Sequence, residues 1–424
     1  MSPQATQMGK NPSTNTLKII NDPVYGFIKI PSDLVFELIE HPLFQRLRRI
    51  RQLGLTHFVY PGANHSRFQH AIGAMHLMGQ AIEVIRAKGH EITEKEASSV
   101  TIAILLHDIG HGPFSHSLEH SLIRSTSHET ISLMYMEQLN KIFKGLLGQA
   151  IEIFRNRYHK KFLHQLVSSQ LDMDRLDYLK RDSFFTGVTE GVIGSDRIIK
   201  MLNVKDDQLV VDEKGIYSIE KFLIARRLMY WQVYLHRTVV SAEQLLVMML
   251  KRAQELTAEG VDLFATPALK FFLEPAEEKF NKANQDVFLD HFASLDDNDI
   301  LASAKVWCNQ SDQVLSMLAD GLVNRTLFSV ELNNHPFNKE RIDILRNRVA
   351  KHMGILEDEA AYLVVSDSVS NFAYSDMDDR ITILDKRGLT RDIAEASDIL
   401  NISVLSKNVK KHFLCYPRFI NDLK

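Results

Sequence analysis

Residues 107–116 read His-Asp-Ile-Gly-His-Gly-Pro-Phe-Ser-His and directly follow the almost wholly apolar run 100–106. Imidazole and carboxylate groups at the end of a buried segment are costly unless they are paired or bound to a metal. A neutral imidazole beside a carboxylate suits a divalent first-row ion. Gly110, Gly112 and Pro113 break the helix, which lets His111 and His116 turn back toward the same place. A His-Asp pair alone is more often structural than catalytic, but this one has companions. His70 opens a helical pattern that continues through Met75, Leu77, Met78, Ile82 and Val84, and Asp174 sits in the helical word 171–178, Leu-Asp-Met-Asp-Arg-Leu-Asp-Tyr. Singly, His70 reads as a satisfied core histidine and Asp174 as a surface aspartate. Jointly, the two imidazoles and two carboxylates form a mixed donor set with room for water and substrate, the condition for metal-assisted hydrolysis.

The order His…His-Asp…Asp, with these flanking words, resembles the HD superfamily of metal-dependent phosphohydrolases. Within it, Gln52-Leu53-Gly54, Tyr60-Pro61-Gly62-Ala63, Arg67-Phe68-Gln69-His70, the 107–116 word and the 172–182 segment are similar to the branch of SAM-and-HD-domain deoxynucleoside triphosphate triphosphohydrolases. The resemblance is strong over residues 20–250 and loose beyond. It implies the metal ligands His70, His107, Asp108 and Asp174, with Mn, Fe, Ni, Zn and Mg all compatible with such donors. It also implies a catalytic group beside the metal, carried by His116, Glu119 and His128, with His111 turned toward them. Glu119 stands where the family often has aspartate; His128, in Ser127-His128-Glu129, reads equally well as a solvated histidine.

A triphosphate needs fixed positive charge, preferably a planar guanidinium that grips two oxygens at once. By resemblance this falls to Arg67, Arg175 and Arg226, with the Tyr178 hydroxyl assisting. Spacing supports a pocket independently. Asp174, Tyr178 and Asp182 recur every four residues, as do Arg226, Tyr230 and Tyr234, so each set forms a stripe on its helix. Packing of a core accounts for aromatic stripes too, although a metal ligand at the end of one favours the pocket. By resemblance Gln52 and Leu53 contact the sugar, and Asp182 and Tyr234 lie near sugar and base; Tyr230 and Leu235 depart from the mammalian pattern and leave base preference open. Gln45 and Arg48 match two positions of the family's activating-nucleotide site, with Glu40 where an aspartate is expected. A basic amphipathic helix face explains the same residues and is the reading we prefer.

The reaction this resemblance implies is metal-dependent hydrolysis of a deoxynucleoside triphosphate to deoxynucleoside and inorganic triphosphate. Water attacks the α-phosphorus, and His116, Glu119 or His128 protonates the departing 5′ oxygen. Two rivals stand beside it: hydrolysis of another nucleotide, such as a monophosphate or an alarmone, and a nucleotide sensor that retains the metal site without catalysis.

Composition bounds the remainder. At 424 residues the chain is long enough for two or three domains, and 45% apolar residues supply a substantial core. A net charge of −3 without a long basic run gives no support for a nucleic-acid or membrane partner. The cysteines, Cys308 and Cys415, lack metal-type spacing, and no apolar run approaches membrane-spanning length, so we expect a cytoplasmic protein. The resemblance implies a homo-oligomer, dimer or tetramer.

Along the chain we expect a mainly α fold. It comprises a flexible tail (1–16), a multi-helix HD core (17–256), a helical extension (257–355) and a small α/β C-terminal region (356–424). A short hairpin is expected within 17–31. Residues 209–217 read as two strands around a turn, Thr326–Leu332, Tyr362–Val365 and Ile381–Leu384 as strands, and Thr390–Leu400 as a helix.

Overall fold

Each helix that carries the candidate ligands has a local reason to begin where it does. The computed structural model describes residues 18–114, 126–274, 284–371, 380–397 and 409–421. Helix α1 (Arg67–Ala87) follows Ser66, whose N–H donates to the Gln69 side chain at 2.8 Å. Helix α2 (Glu94–Leu106) starts with a reciprocal capping box. The Thr93 hydroxyl accepts from Glu96 N–H at 3.2 Å, and the Glu96 carboxylate accepts from Thr93 N–H at 2.8 Å. This helix ends at His107, so its length fixes where the His-Asp pair emerges. Helix α3 (His128–Ile142) is capped by Ser127. Helix α4 (Met173–Thr186) is capped by Asp172, which accepts from Arg175 N–H at 2.7 Å, and stops at Gly187 with φ 74°.

Helix α1 packs against both α2 and α4. Leu77, Met78, Ala81, Ile102, Leu105, Leu106, Leu176 and Leu179 are fully or almost fully buried. At roughly 1.5–3 kcal/mol for each large apolar side chain buried, this contact rather than the caps holds the three helices together. The ligand-bearing ends are thereby brought to one place.

The fold is mainly helical, with three small sheets among the described residues. The expected N-terminal hairpin is present as β1 (Ile19–Asp22) and β2 (Gly26–Lys29), paired Ile19 to Lys29. The expected strands around Asp212–Gly215 are displaced. The hairpin is instead β3 (Leu202–Lys205) with β4 (Gln208–Asp212), turning at Asp206 and Asp207, both at positive φ. Residues Glu213–Gly215 make a 3₁₀ turn into helix α5 (Ile216–Met229). Gly215 is there for close packing, since a Cβ would lie 2.6 Å from Val211 Cγ1 and 2.9 Å from Met201 Cβ.

A π-helical turn, Tyr230–Tyr234, leads to α6 (Arg237–Ala258). The region after it is largely helical and includes α7 (Asp297–Trp307). Strand β5 (Ser329–Asn333) matches expectation, whereas β6 (Val365–Asn371) begins only where the expected strand at 362–365 ends. Strand β7 (Thr382–Leu384) matches; residues Thr390–Asp392 form β8 rather than opening a helix, Ile393–Ala396 turn helically, and the end of the expected helix, 398–400, lies outside the described residues. Strand β9 (Val409–Tyr416) lies between β5 and β6. Strands β7 and β8 join the β3–β4 hairpin, β4 and β7 running parallel with Val211 beside Ile383. One hydrophobic cluster extends from Ile28 to Ile420.

Candidate active site

His70 and His107 come from α1 and from the end of α2, and their rings meet edge to face with centroids 5.4 Å apart. Each has its Nδ1 engaged. His70 Nδ1 lies 2.7 Å from Asp177 Oδ2, and His107 Nδ1 lies 2.6 Å from the Ile104 carbonyl. An Nδ1–H donor in each case leaves the Nε2 lone pair bare, and both Nε2 atoms are buried without a hydrogen-bond partner.

The carboxylates complete the cluster. Asp174 Oδ1 stands 3.0 Å from His70 Nε2 and 3.6 Å from His107 Nε2; Asp108 Oδ1 stands 3.3 Å from His107 Nε2, and Asp108 Oδ2 3.8 Å from His70 Nε2. One ligand atom each from His70, His107 and Asp174 lies within 4.8 Å of the others. Donors ~2.1 Å from a common ion are spaced in this way. The charge balance agrees. Burial alone would lower His70, yet Asp174 and Asp177 push it up to about 10, and His107 is raised by Asp108 and Asp174 against the same burial. Burial would raise Asp108 and Asp174, but the histidines, with Arg67 for Asp108, hold both well below the usual carboxylate range. The anionic pair thus draws positive charge into the space between the imidazoles. The residues fit a divalent cation.

Behind the ligands lies a second layer. Arg181, fully buried, grips Asp177 through Nε and Nη2 at 2.9 and 3.0 Å and reaches Asp22 at 2.7 Å. Gly73 on α1 leaves room for this group: a Cβ would fall 2.0 Å from Asp177 Oδ1 and 2.2 Å from Arg181 Nη2. Helix α3 is fastened to the 107–111 segment in the same close fashion. Ser132 Oγ accepts from Gly110 N–H at 2.9 Å and donates to the His107 carbonyl at 2.7 Å, while a Cβ at Gly110 would meet Ser132 N at 2.2 Å. This approach stacks His128 on His111, centroids 3.9 Å apart. His111 lies 3.3 Å from Asp108 Oδ1; burial and the Arg67 charge hold it well below the ordinary imidazole range. His116 and Glu119 lie outside the described residues.

A cavity of about 420 Å³ opens beside the cluster. Of the residues singled out in the sequence, Gln52, Leu53, Arg67, Asp108, His111, His128, Asp174, Arg175, Tyr178, Asp182, Tyr230 and Tyr234 line it. Arg67 donates to Asp108 Oδ2, and Arg175 Nε reaches the Ser169 carbonyl at 2.6 Å and Asp172 at 3.3 Å. Tyr234 donates to Asp182 Oδ2 at 2.7 Å, and its ring meets Tyr230 edge to face at 5.1 Å. Among the substrate-binding candidates Arg226 is the exception: it is buried, is not part of that lining, and acts by its charge on Tyr178. The π turn does not separate Arg226 from Tyr230: that step is α-helical, with Tyr230 N–H donating to the Arg226 carbonyl, and the π turn begins only at Tyr230.

Several contributors were absent from the sequence expectation. Asp177 lay in a word already singled out, three residues after Asp174, and could have been found there. His65, whose Nε2 is 2.7 Å from Asp182 Oδ1, and Glu243, which lines the cavity from α6, carried no local signal. Neither did Asp297, the first residue of α7. Its Oδ2 accepts from Arg51 N–H at 3.0 Å and its Oδ1 from Phe114 N–H at 3.1 Å, so one carboxylate ties together two segments of the cavity wall. Phe114 itself sits at φ 51° and lines the cavity.

Comparison with known proteins agrees with this geometry. Residues 67–182 match the model of the HD domain and residues 193–267 that of the HD associated region. The chain is 33% identical over 416 residues to the uncharacterized protein YwfO of Bacillus subtilis, covering 95% of this chain and 92% of that protein. It is 35% identical over 253 residues to the deoxynucleoside triphosphate triphosphohydrolase SAMHD1 homolog of Dictyostelium discoideum, covering 54% of this chain and 48% of the relative. It therefore spans about half the length of that relative. A crystal structure of a phosphohydrolase from Bacteroides thetaiotaomicron is 56% identical, with TM-score 0.90, and covers 95% of this chain and 100% of that one. Among the described residues no helix is long and apolar enough to cross a membrane.

Proposed function

The chain belongs to the HD superfamily of phosphohydrolases, and on that premise we propose that it hydrolyses deoxynucleoside triphosphates to deoxynucleoside and inorganic triphosphate. The observation that carries this reading is one cavity that combines three different needs: the cation-binding cluster, guanidinium groups and aromatic hydroxyls. Arg67 and Arg175 line it beside Asp108 and Asp174, where phosphate oxygens would gather against the cluster. Tyr178, Tyr230 and Tyr234 offer rings and hydroxyls to the nucleoside. Relatives named as deoxynucleoside triphosphate triphosphohydrolases support the choice of substrate.

A divalent cation held by His70, His107, Asp108 and Asp174 supplies Lewis acidity at the phosphate. The protein's own groups do the remainder. Arg67 and Arg175 hold the triphosphate and offset its charge as the bond from the α-phosphorus to the 5′ oxygen breaks. Water attacks in line, and the departing 5′ oxygen takes a proton. His128, stacked on the buried His111 and lining the cavity, is our candidate to move that proton, with His116 and Glu119 as further donors.

The test is chromatographic identification of products from the four dNTPs with each candidate metal. Deoxynucleoside plus triphosphate is the expected outcome, lost in His107→Ala and Asp108→Ala. Release from a monophosphate or alarmone alone, or nucleotide binding without any phosphate release, overturns the proposal. Repeating the panel with a second nucleotide reads the need for an activator, and light scattering reads the oligomeric state.

A further inference from the structure

One acid in the cavity wall has no task in the reaction above. Glu243 lies within α6 and lines the same cavity as Gln52, Thr56, Tyr230 and Tyr234. The other cavity carboxylates are each matched. Asp174 faces His70 and His107, Asp108 meets Arg67 and His111, and Asp182 is held by Tyr234 and His65. Among the described residues, the Glu243 side chain makes no hydrogen bond or ion pair. Burial alone pushes its carboxyl up to about 7. An acid left without a donor in a partly dehydrated wall costs free energy that a ligand's N–H or O–H groups can offset.

A nucleotide offers such donors at one end only. Its phosphates repel a carboxylate, and among the described residues no cationic group of the site acts on Glu243, so this acid suits the nucleoside. Tyr230 and Tyr234, which line the same cavity in edge-to-face contact, provide the kind of surface on which a base stacks. The four bases differ in the donors they present. Guanine shows two adjacent N–H groups, on N1 and N2, which match the two oxygens of one carboxylate as a guanidinium does. Adenine and cytosine show one amino group beside an acceptor nitrogen. Thymine shows a single N–H between two carbonyls, which a carboxylate repels.

We infer that Glu243 reads the Watson–Crick edge of the substrate base and makes this site prefer dGTP. Contact with two N–H donors favours the ionised carboxylate, so binding itself secures the charged form. The inference rests on the triphosphohydrolase reading and adds the base to it.

The experiment measures kcat/KM for the four dNTPs with the wild-type protein, Glu243→Gln and Glu243→Asp. The wild type should favour dGTP over dTTP by roughly ten- to a hundredfold, the discrimination typical of one bidentate contact to a base. Glu243→Gln keeps the size of the side chain but replaces an acceptor by a donor. It should collapse that ratio, mainly through KM for dGTP, and Glu243→Asp should restore part of it. Loss of the same factor on all four substrates marks a structural role and overturns the inference, as does an unchanged ranking. If the wild type hydrolyses no dNTP, the proposed reaction falls on its own. Calorimetric titration of the four dNTPs into wild type and Glu243→Gln then still decides: a dGTP preference that the substitution abolishes sustains the inference, and equal affinities end it.

Discussion

Nδ1 of His70 lies 2.7 Å from Oδ2 of Asp177, and this pairing decides which His70 nitrogen faces the cation cluster. A carboxylate can only accept, so it fixes the proton on Nδ1 and leaves Nε2 as a ligand. In Asp177→Asn the amide can present N–H instead and stabilise the opposite tautomer. Metal affinity should fall about 10- to 100-fold, read by calorimetric titration of Mn²⁺ or Zn²⁺ into the metal-stripped protein. Unchanged affinity would show that the pairing does not orient the ligand.

Gly73 tests the same arrangement from the other side. Its missing side chain is what admits Asp177 and Arg181, both fully buried. Gly73→Ala gains helix propensity but overpacks this group, and we expect a net loss of about 1–3 kcal/mol together with reduced metal content. Thermal denaturation and elemental analysis check both. A more stable variant would mean that the ion-paired group moves aside freely.

Much of the centre was legible because its ligands sit in contiguous words. His107-Asp108 announces itself by placing charge after a buried run, and Asp174, Tyr178 and Asp182 share a helix whose period is known in advance. What escaped depends on which elements meet in space. His65 reaches Asp182 across 117 positions and Asp297 reaches Phe114 across 183, and no local pattern encodes either. The misplaced hairpin has a different cause. Gly215 looked like a turn residue but serves close packing, while the true turn uses Asp206 and Asp207, a pair whose side chains tolerate positive φ less visibly than Asn-Gly. Arg226 was set in the cavity by resemblance and by helical period, and period alone does not tell a residue that lines a cavity from one buried beside it.

Asp297 should matter to substrate binding although it lies beyond both matched family segments. In Asp297→Asn one oxygen remains and one of the two N–H donors, Arg51 or Phe114, loses its acceptor. We expect a stability cost of about 1–3 kcal/mol and a KM increase of about tenfold (~1.4 kcal/mol), with kcat less affected. Steady-state kinetics on dNTPs and denaturant titration separate the two. An effect on kcat alone would contradict a role in shaping the wall.

Acid should weaken the helix that delivers His107. Burial opposes the ionised form of Glu96, but hydrogen bonds from Thr93, Lys160 and Tyr158 outweigh it and bring the carboxyl down to about 2. The folded state therefore binds this proton less readily than the unfolded chain. The resulting stabilisation is complete above the unfolded value near 4.5 and is lost as pH falls from there through about 2. Glu96→Gln should be less stable than wild type at pH 7, and the gap in Tm should close across that window. A gap independent of pH would remove the carboxylate from the account.

Removal of the cation should abolish triphosphate release and lower Tm, and both should return on adding metal back. Because histidine and carboxylate ligands must give up protons to bind, and Asp174 and Asp177 push His70 up to about 10, affinity should keep rising with pH until about 10. Calorimetry in buffers of different ionisation heats measures the protons released; none released would speak against imidazole ligation.

The parallel pairing of β4 with β7 has a consequence for how the chain is made. By the time a ribosome has finished α6, it has already synthesised every described residue that lines the cavity, yet the outer edge of β4 still lacks its neighbour. That edge stays open until Ile383 and Leu384 emerge from the exit tunnel. An uncovered strand of a nascent protein is a template for wrong partners. Early termination should therefore leave not a smaller working enzyme but a client for chaperones, and pulse-labelled truncations ending before residue 380 would be found bound to them or aggregated.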